Sequence, residues 1–242
     1  MIIDSFTSFG IWPRRGIEIS AKGLADNLKK SSIDRACSIS TEGIFYDFIE
    51  GNNETLRECK ENNALIPIAT VNPAVYFNCY SEIERCLNFG FKLFAFFPEY
   101  QEWHINGFVF DKILSILSGS SVVLYIPASE DITRIASITG GMDNAVIIHS
   151  FRYCDLAEAI EALNRYKNLY IETHMINSPD YIEVLRDEVG LERVIFGSNA
   201  PATCISSALL PIHNAEVDDK DKEKILSGNI SRLLRGENHE VY

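Results

Sequence analysis

Residues 145–174 read AVIIHSFRYCDLAEAIEALNRYKNLYIETH, and this stretch decides the fold. Ala145–Ser150 is a short run rich in β-branched residues that turns polar at its end. Leu156–Tyr166 reads as a helix, and Leu169–His174 is a second β-rich run of the same design. Strand, helix and strand at this separation make a parallel pair joined by a crossover.

Working outward, the same alternation fills the chain. Six further β-rich runs stand at MIIDSF from Met1, RACSIS from Arg35, LIPIATV from Leu65, FKLFAFF from Phe91, SVVLYI from Ser121 and RVIFGS from Arg193. Helices are expected over Ala21–Lys30, Thr55–Asn62, Ser81–Asn88, Lys112–Leu117, Asp131–Ile138, Asp180–Glu188, Cys204–Asn214 and Asp221–Leu234. Eight strands at about 30 residues per unit fit an α/β fold of the TIM-like (β/α)8 barrel type, with residues 1–242 as one domain. An open doubly wound sheet is the alternative, and it usually has fewer strands. Several runs are apolar at almost every position, as strands buried between a barrel interior and an outer helical ring must be. Their polar residues gather at the C-terminal ends, so the C-terminal mouth supplies the candidate functional groups.

Composition limits the partners. Twenty-two Lys and Arg against 34 Asp and Glu give a formal charge of −12, spread along the chain, which argues against the phosphate backbone of a nucleic acid. Six cysteines without C-x-x-C spacing and an N-terminus without a signal-peptide pattern point to a reduced, cytoplasmic protein. No apolar run approaches the roughly 20 residues a membrane span needs. Neither a glycine-rich phosphate loop nor a G-x-S-x-G turn is present.

Ile3-Asp4, IPIATVNPA from Ile66, GFKLFAFFP from Gly90, VIIHS from Val146, RVIFGSNAP from Arg193 and ILSGNISRLL from Ile225 follow one another in an order that resembles the amidohydrolase-related, metal-dependent hydrolase family. The resemblance implies a D-x-H-x-H motif on the first strand, a lysine or other carboxylate-bearing ligand on the fourth, histidines on the fifth and sixth, and an aspartate on the eighth. Together these hold one or two divalent ions that activate water. Here Asp4 is retained, but Phe6 and Ser8 stand at the first-strand histidine positions, Ala95 at the fourth-strand ligand and Asn199 at the aspartate. SVVLYIPAS offers no fifth-strand histidine. His149 alone keeps its place. One imidazole cannot bind a catalytic zinc, and the Asn199 amide cannot act as a general base. No metal site and no cofactor are therefore expected, and hydrolysis by the family's own mechanism is not. Gly10-Ile11-Trp12-Pro13-Arg14-Arg15 resembles a branch of the same family with a G-x-W-P-x-R stretch and an incomplete ligand set.

The candidate catalytic residues are His149, Glu172, His174 and Asn199. Glu172 and His174 lie two apart, so on a continuing strand both point the same way, beside His149 on the neighbouring strand. They form either an acid–base pair or a replacement metal site, or else His149 is a hydrogen-bonded core histidine. Trp12, Arg14, Arg15 and Arg152 are candidate substrate-binding residues, since a guanidinium clamps a carboxylate or phosphate and an indole covers it. The alternative for the arginines is pairing with the chain's many acids. Glu99 and Ser198 are weaker candidates exposed at the mouth; Cys37 belongs to the core. His104, His213 and His239 are read as surface residues. A small and anionic ligand is the expected partner, with self-association in reserve. The leading reading is an amidohydrolase-like hydrolase of small molecules; its rival is a pseudoenzyme that uses the old pocket for binding or serves as a partner subunit.

Overall fold

The structure is a computed structural model that describes residues 1–13, 15–150, 152–176 and 178–237. Nine strands form one sheet in the order β2-β1-β3-β4-β5-β6-β7-β8-β9. They are β1 (Ile3–Trp12), β2 (Ile17–Ile19), β3 (Arg35–Ser40), β4 (Leu65–Ala69), β5 (Leu93–Ala95), β6 (Val123–Pro127), β7 (Val146–His149), β8 (Leu169–Glu172) and β9 (Val194–Ile195). All neighbours pair in parallel except β2, which folds back on the end of β1 as a hairpin.

The curled sheet closes through backbone bonds between the eighth parallel strand and the first. Ser5 N donates to Phe196 O at 3.0 Å, Asn199 N to Phe6 O at 3.0 Å and Ser8 N to Ala200 O at 2.8 Å. Closure removes both sheet edges, giving the barrel expected from the sequence. It also explains why β9 is only two residues long, since beyond Ile195 the backbone bonds pass from β8 to β1.

Alternation along the strands divides the apolar residues into two cores. Leu93, Val123, Tyr125, Ile147, Tyr170 and Ile195 fill the barrel interior, while Phe94, Leu124, Val146, Ile148, Ile171 and Val194 face the helices. Strict alternation would put Ile3 and Phe6 on opposite faces. The pairing of β1 with β3 slips between Asp4 and Thr7, and this bulge brings both into the interior core.

The outer ring comprises α1 (Ala21–Lys30), α2 (Thr41–Phe45), α3 (Phe48–Glu61), α4 (Cys79–Asn88), α5 (Pro98–Gln101), α6 (Phe108–Leu117), α7 (Ile132–Thr139), α8 (Leu156–Arg165), α9 (Tyr181–Val189), α10 (Ile205–Asn214), α11 (Asp219–Glu223) and α12 (Asn229–Leu234). Side-chain caps fix several starts: Ser20 accepts from Gly23 N, and Asp47 from Ile49 N and Glu50 N. The expected final helix runs without interruption through α11, a π-helical turn at Lys224–Gly228, and α12, whose Ile230 and Leu233 join the interior core. Gly10, at φ +107°, carries β1 over α2. A Cβ there would lie 2.2 Å from Thr41 Oγ1, so the crossing requires glycine. No helix among the described residues is long and apolar enough to cross a membrane.

Candidate functional site

Three consecutive strands deliver the polar groups. β7 ends at His149, β8 at Glu172, and the segment that continues β9 runs into Ser198 and Asn199. The residues that leave these strands, Ser150, Met175 and Asn199, have φ of +60°, +71° and +55°. Left-handed backbone at residues other than glycine costs about 1–3 kcal/mol each and tends to gather at functional sites.

Their side chains form a directional hydrogen-bonded chain. His174 Nδ1 lies 2.6 Å from Glu172 Oε2, both side chains being buried. The Ser150 hydroxyl bridges the two rings, 3.3 Å from His174 Nε2 and 2.9 Å from His149 Nδ1. The carboxylate only accepts, so Nδ1–H of His174 donates to it, and while that ring is neutral Nε2 is left as an acceptor for the Ser150 O–H. Ser150 Oγ then accepts from His149 Nδ1–H, and His149 Nε2 is a bare lone pair without a partner among the described residues. Asn199 Nδ2, 3.3 Å away, also faces His174 Nε2.

Burial sets the proton affinities. His149 is pushed down to about 3 by burial, with His174 adding to the effect. Burial also pulls His174 down, but the charge and hydrogen bond of Glu172 outweigh it and leave His174 above its ordinary value. Glu172 has room because residue 197 is glycine: a Cβ there would fall 2.0 Å from Glu172 Oε1. Asp4, fully buried, is pushed up to about 7, although Ser198 donates to it from both N and Oγ.

Above this chain lies an aromatic floor. The Phe6 ring stacks on His149 with centroids 5.0 Å apart and planes 21° apart, flanked by Tyr125 at 5.8 Å and Phe97 at 6.3 Å. The floor opens into a 440 Å³ pocket lined by Phe6, Phe97, His149, Ser150 and Asn199 below, and by Trp12, Arg15, Glu99, Tyr100 and Arg152 around the rim. Trp12 is held by a bond from Nε1 to Ser8 Oγ at 2.9 Å and by edge contacts with Phe45 and Tyr100. The Arg15 guanidinium packs 5.7 Å from the Trp12 ring and, among the described residues, forms no ion pair. Exposed Arg152 pairs with Asp155 at 3.4 Å.

The structure therefore brings together seven of the eight sequence candidates: His149, Asn199, Trp12, Arg15 and Arg152 line the pocket, and Glu172 and His174 lie beneath its floor. Arg14 and His239 fall outside the described residues. Glu99 does face the mouth. Ser198 does not; its hydroxyl points inward to buried Asp4, so its reading as an exposed group is corrected. Cys37 is core, and burial pushes its thiol far up. His104 and His213 are exposed, as read from the sequence. Ser150, which joins the two imidazoles, was not singled out by the sequence; the polar end of AVIIHS was its only signal.

At the positions where the resemblance implies metal ligands stand Phe6, Ser8 and Ala95, and Ser8 is engaged by Trp12. Among the described residues no group of three or more His, Cys, Asp or Glu side chains is placed to hold a metal ion.

Fold and site together define a TIM barrel with its polar groups collected at the C-terminal mouth. An amidohydrolase family model matches residues 50–236, and the chain belongs to the amidohydrolase family. A search of curated proteins found no match. Solved structures share the fold at low identity. The 2,6-dihydroxybenzoate decarboxylase of Rhizobium aligns with a TM-score of 0.76 and 13% identity, over 97% of this chain and 98% of that one. The 5-carboxyvanillate decarboxylase of Sphingomonas paucimobilis gives 0.78 and 14%, over 97% and 98%. A dihydroxybenzoic acid decarboxylase of Polaromonas, bound to manganese and 2-nitroresorcinol, gives 0.68 and 12%, over 99% and 98%.

Proposed function

We propose that the barrel mouth binds a small aromatic carboxylate, or a derivative of one, without a metal-activated water, and that the chain acts on it as a metal-independent hydrolase. The observation that carries this reading is the Phe6 ring lying face to face on His149 at 5.0 Å. It puts carbon beside the one imidazole retained from the family's ligand set, and Nδ1 of that imidazole is already committed to Ser150. An ion there has one free nitrogen, and among the described residues no group of three or more His, Cys, Asp or Glu side chains is placed to hold it, so the residues present do not fit a catalytic metal.

The pocket suits a flat, apolar body with a negative end. Phe6, Phe97 and Tyr100 offer aromatic faces and edges, and Arg15 and Arg152 supply positive charge at the rim. The 2,6-dihydroxybenzoate and 5-carboxyvanillate after which the two decarboxylases of similar fold are named have this shape and charge. The test uses benzoate as a probe on protein purified in EDTA. It should raise the melting temperature equally with and without added manganese or zinc. Stabilisation that appears only when metal is supplied would overturn the reading.

A further inference from the structure

The chain Glu172–His174–Ser150 has the parts and the order of an activated nucleophile. We propose that Ser150 is a nucleophile, His174 its general base and Glu172 the group that orients His174, forming a triad that hydrolyses small aromatic esters through an acyl-enzyme. The proposal rests on the metal-independent reading of the mouth.

Geometry is the first support. Nucleophile to base is 3.3 Å and base to carboxylate is 2.6 Å, within what such sites show before substrate binds. The Glu172 carboxylate accepts from Nδ1, which fixes the tautomer and turns the Nε2 lone pair to Ser150. Ser150 is the one member of the three that lines the 440 Å³ pocket. It leaves β7 at φ +60° on the way to α8, a strained strand-to-helix turn of the kind that lifts a serine hydroxyl clear of a sheet. It does so without flanking glycines, which is why a G-x-S-x-G search passes over it. His149 donates to the same hydroxyl oxygen and so leaves the Ser150 proton directed at His174.

The reaction balances. Ser150 Oγ attacks the ester carbonyl carbon as His174 Nε2 takes the hydroxyl proton. The carbonyl oxygen becomes an oxyanion, to which Asn199 Nδ2, beside Nε2 and facing the pocket, can donate. The C–O bond to the alcohol breaks and His174 returns the proton to the leaving oxygen. Water then adds to the acyl-enzyme, giving a proton to His174; the bond to Ser150 Oγ breaks, that proton returns to the serine, and a carboxylic acid leaves. Water and ester are consumed; acid and alcohol are formed.

The experiment treats the full chain in EDTA with phenylmethylsulfonyl fluoride, whose phenyl ring suits the Phe6 and Phe97 wall, and maps the adduct by peptide mass spectrometry. An adduct at Ser150 is expected in the unaltered protein, together with a burst of 4-nitrophenol from 4-nitrophenyl acetate. His174→Gln should slow labelling by about 100-fold or more. Glu172→Gln should slow it and move its pH midpoint down, because the main opposition to burial at His174 is then gone; of the other groups that face the ring, Asp4 raises it and Arg15 lowers it, and the His149 ring stands beside it. Ser150→Gly, which accepts φ +60° without strain, should carry no adduct at this position. The triad is overturned if Ser150 is unmodified in the folded native chain, or if labelling there is indifferent to His174→Gln. Benzoate separates the two readings. Benzoate stabilisation without an adduct removes the triad and leaves the pocket; an adduct without benzoate stabilisation removes the aromatic-carboxylate pocket and leaves the triad.

Discussion

Replacing Gly197 by alanine tests whether the Glu172–His174 pair is held by the geometry described above. The new Cβ would meet Glu172 Oε1 at 2.0 Å, and ordinary contact begins at 3.4 Å, so the carboxylate must retreat by about 1.4 Å. A retreat of that size stretches the 2.6 Å bond to His174 beyond hydrogen-bond range. Both groups are buried, and separating a buried pair while leaving its charge in place costs about 3–5 kcal/mol. Alanine does not require an unfavourable φ at position 197, which is absent from the positive-φ glycines, and by itself it stabilises a chain by about 0.4–1 kcal/mol through the unfolded state. The net expectation is a loss of roughly 3 kcal/mol, read as a drop of about 1 M in the urea midpoint. Histidine NMR supplies the specific readout: His174, raised in the native chain by Glu172 against burial, should titrate below the ordinary imidazole value. An unchanged midpoint together with an unchanged His174 titration would refute the reasoning.

Stability should depend on pH through two opposed groups. Asp4 is raised from 3.8 to about 7, so its contribution is complete below pH 3.8 and is lost as pH rises to 7; His149 is lowered from 6.5 to about 3, so its contribution is present above 6.5 and is lost as pH falls to 3. Each spans on the order of 4 kcal/mol. Asp4→Asn removes the first alone, so its unfolding free energy in urea should climb from pH 4 to 7 more steeply than that of the parent chain; parallel curves would contradict the assignment. Phe6→Ala should cost about 3–5 kcal/mol, since the ring is only 2% exposed, and by admitting water should raise the His149 titration midpoint, measured by NMR. Arg15→Ala should weaken benzoate binding about tenfold in a calorimetric titration while leaving the melting temperature within a degree or so, because the side chain is exposed and, among the described residues, forms no ion pair, only a 3.3 Å bond to Ala202 O.

The barrel was legible in the chain because burial on both faces writes itself as apolar runs. RACSIS and Ala21–Lys30 are a strand and a helix with the bounds expected, and AVIIHS and LYIETH carry their polar residues at their C-terminal ends, at the barrel mouth. Short or locally determined pieces were not legible. β2 is a three-residue hairpin arm and α2 a single turn, too short to carry a period. The bulge that turns Phe6 inward breaks the alternation from which facing is inferred, so the Phe6–His149 stack has no signature in the sequence. Ser150 depends on a backbone angle, and a left-handed serine looks like any other serine in one letter.

The two ends of the hydrogen-bonded chain explain why Phe6 is more than a substitution for a ligand. Direction in such a chain is fixed only if neither end can reverse. Glu172 closes one end because a carboxylate has no proton to give. The other end is His149 Nε2; a proton there would leave Nδ1–H donating to Ser150 but would set a cation beside His174 and weaken it as a base. What prevents this is burial, to which the Phe6 ring laid across the imidazole contributes, and which keeps His149 neutral down to about 3. Histidine at position 6 would rebuild part of a metal shell but would bring a polar, protonatable ring to that face. Phenylalanine instead insulates the chain, so the residue that takes away the metal also keeps a positive charge away from His174, the base of the chain.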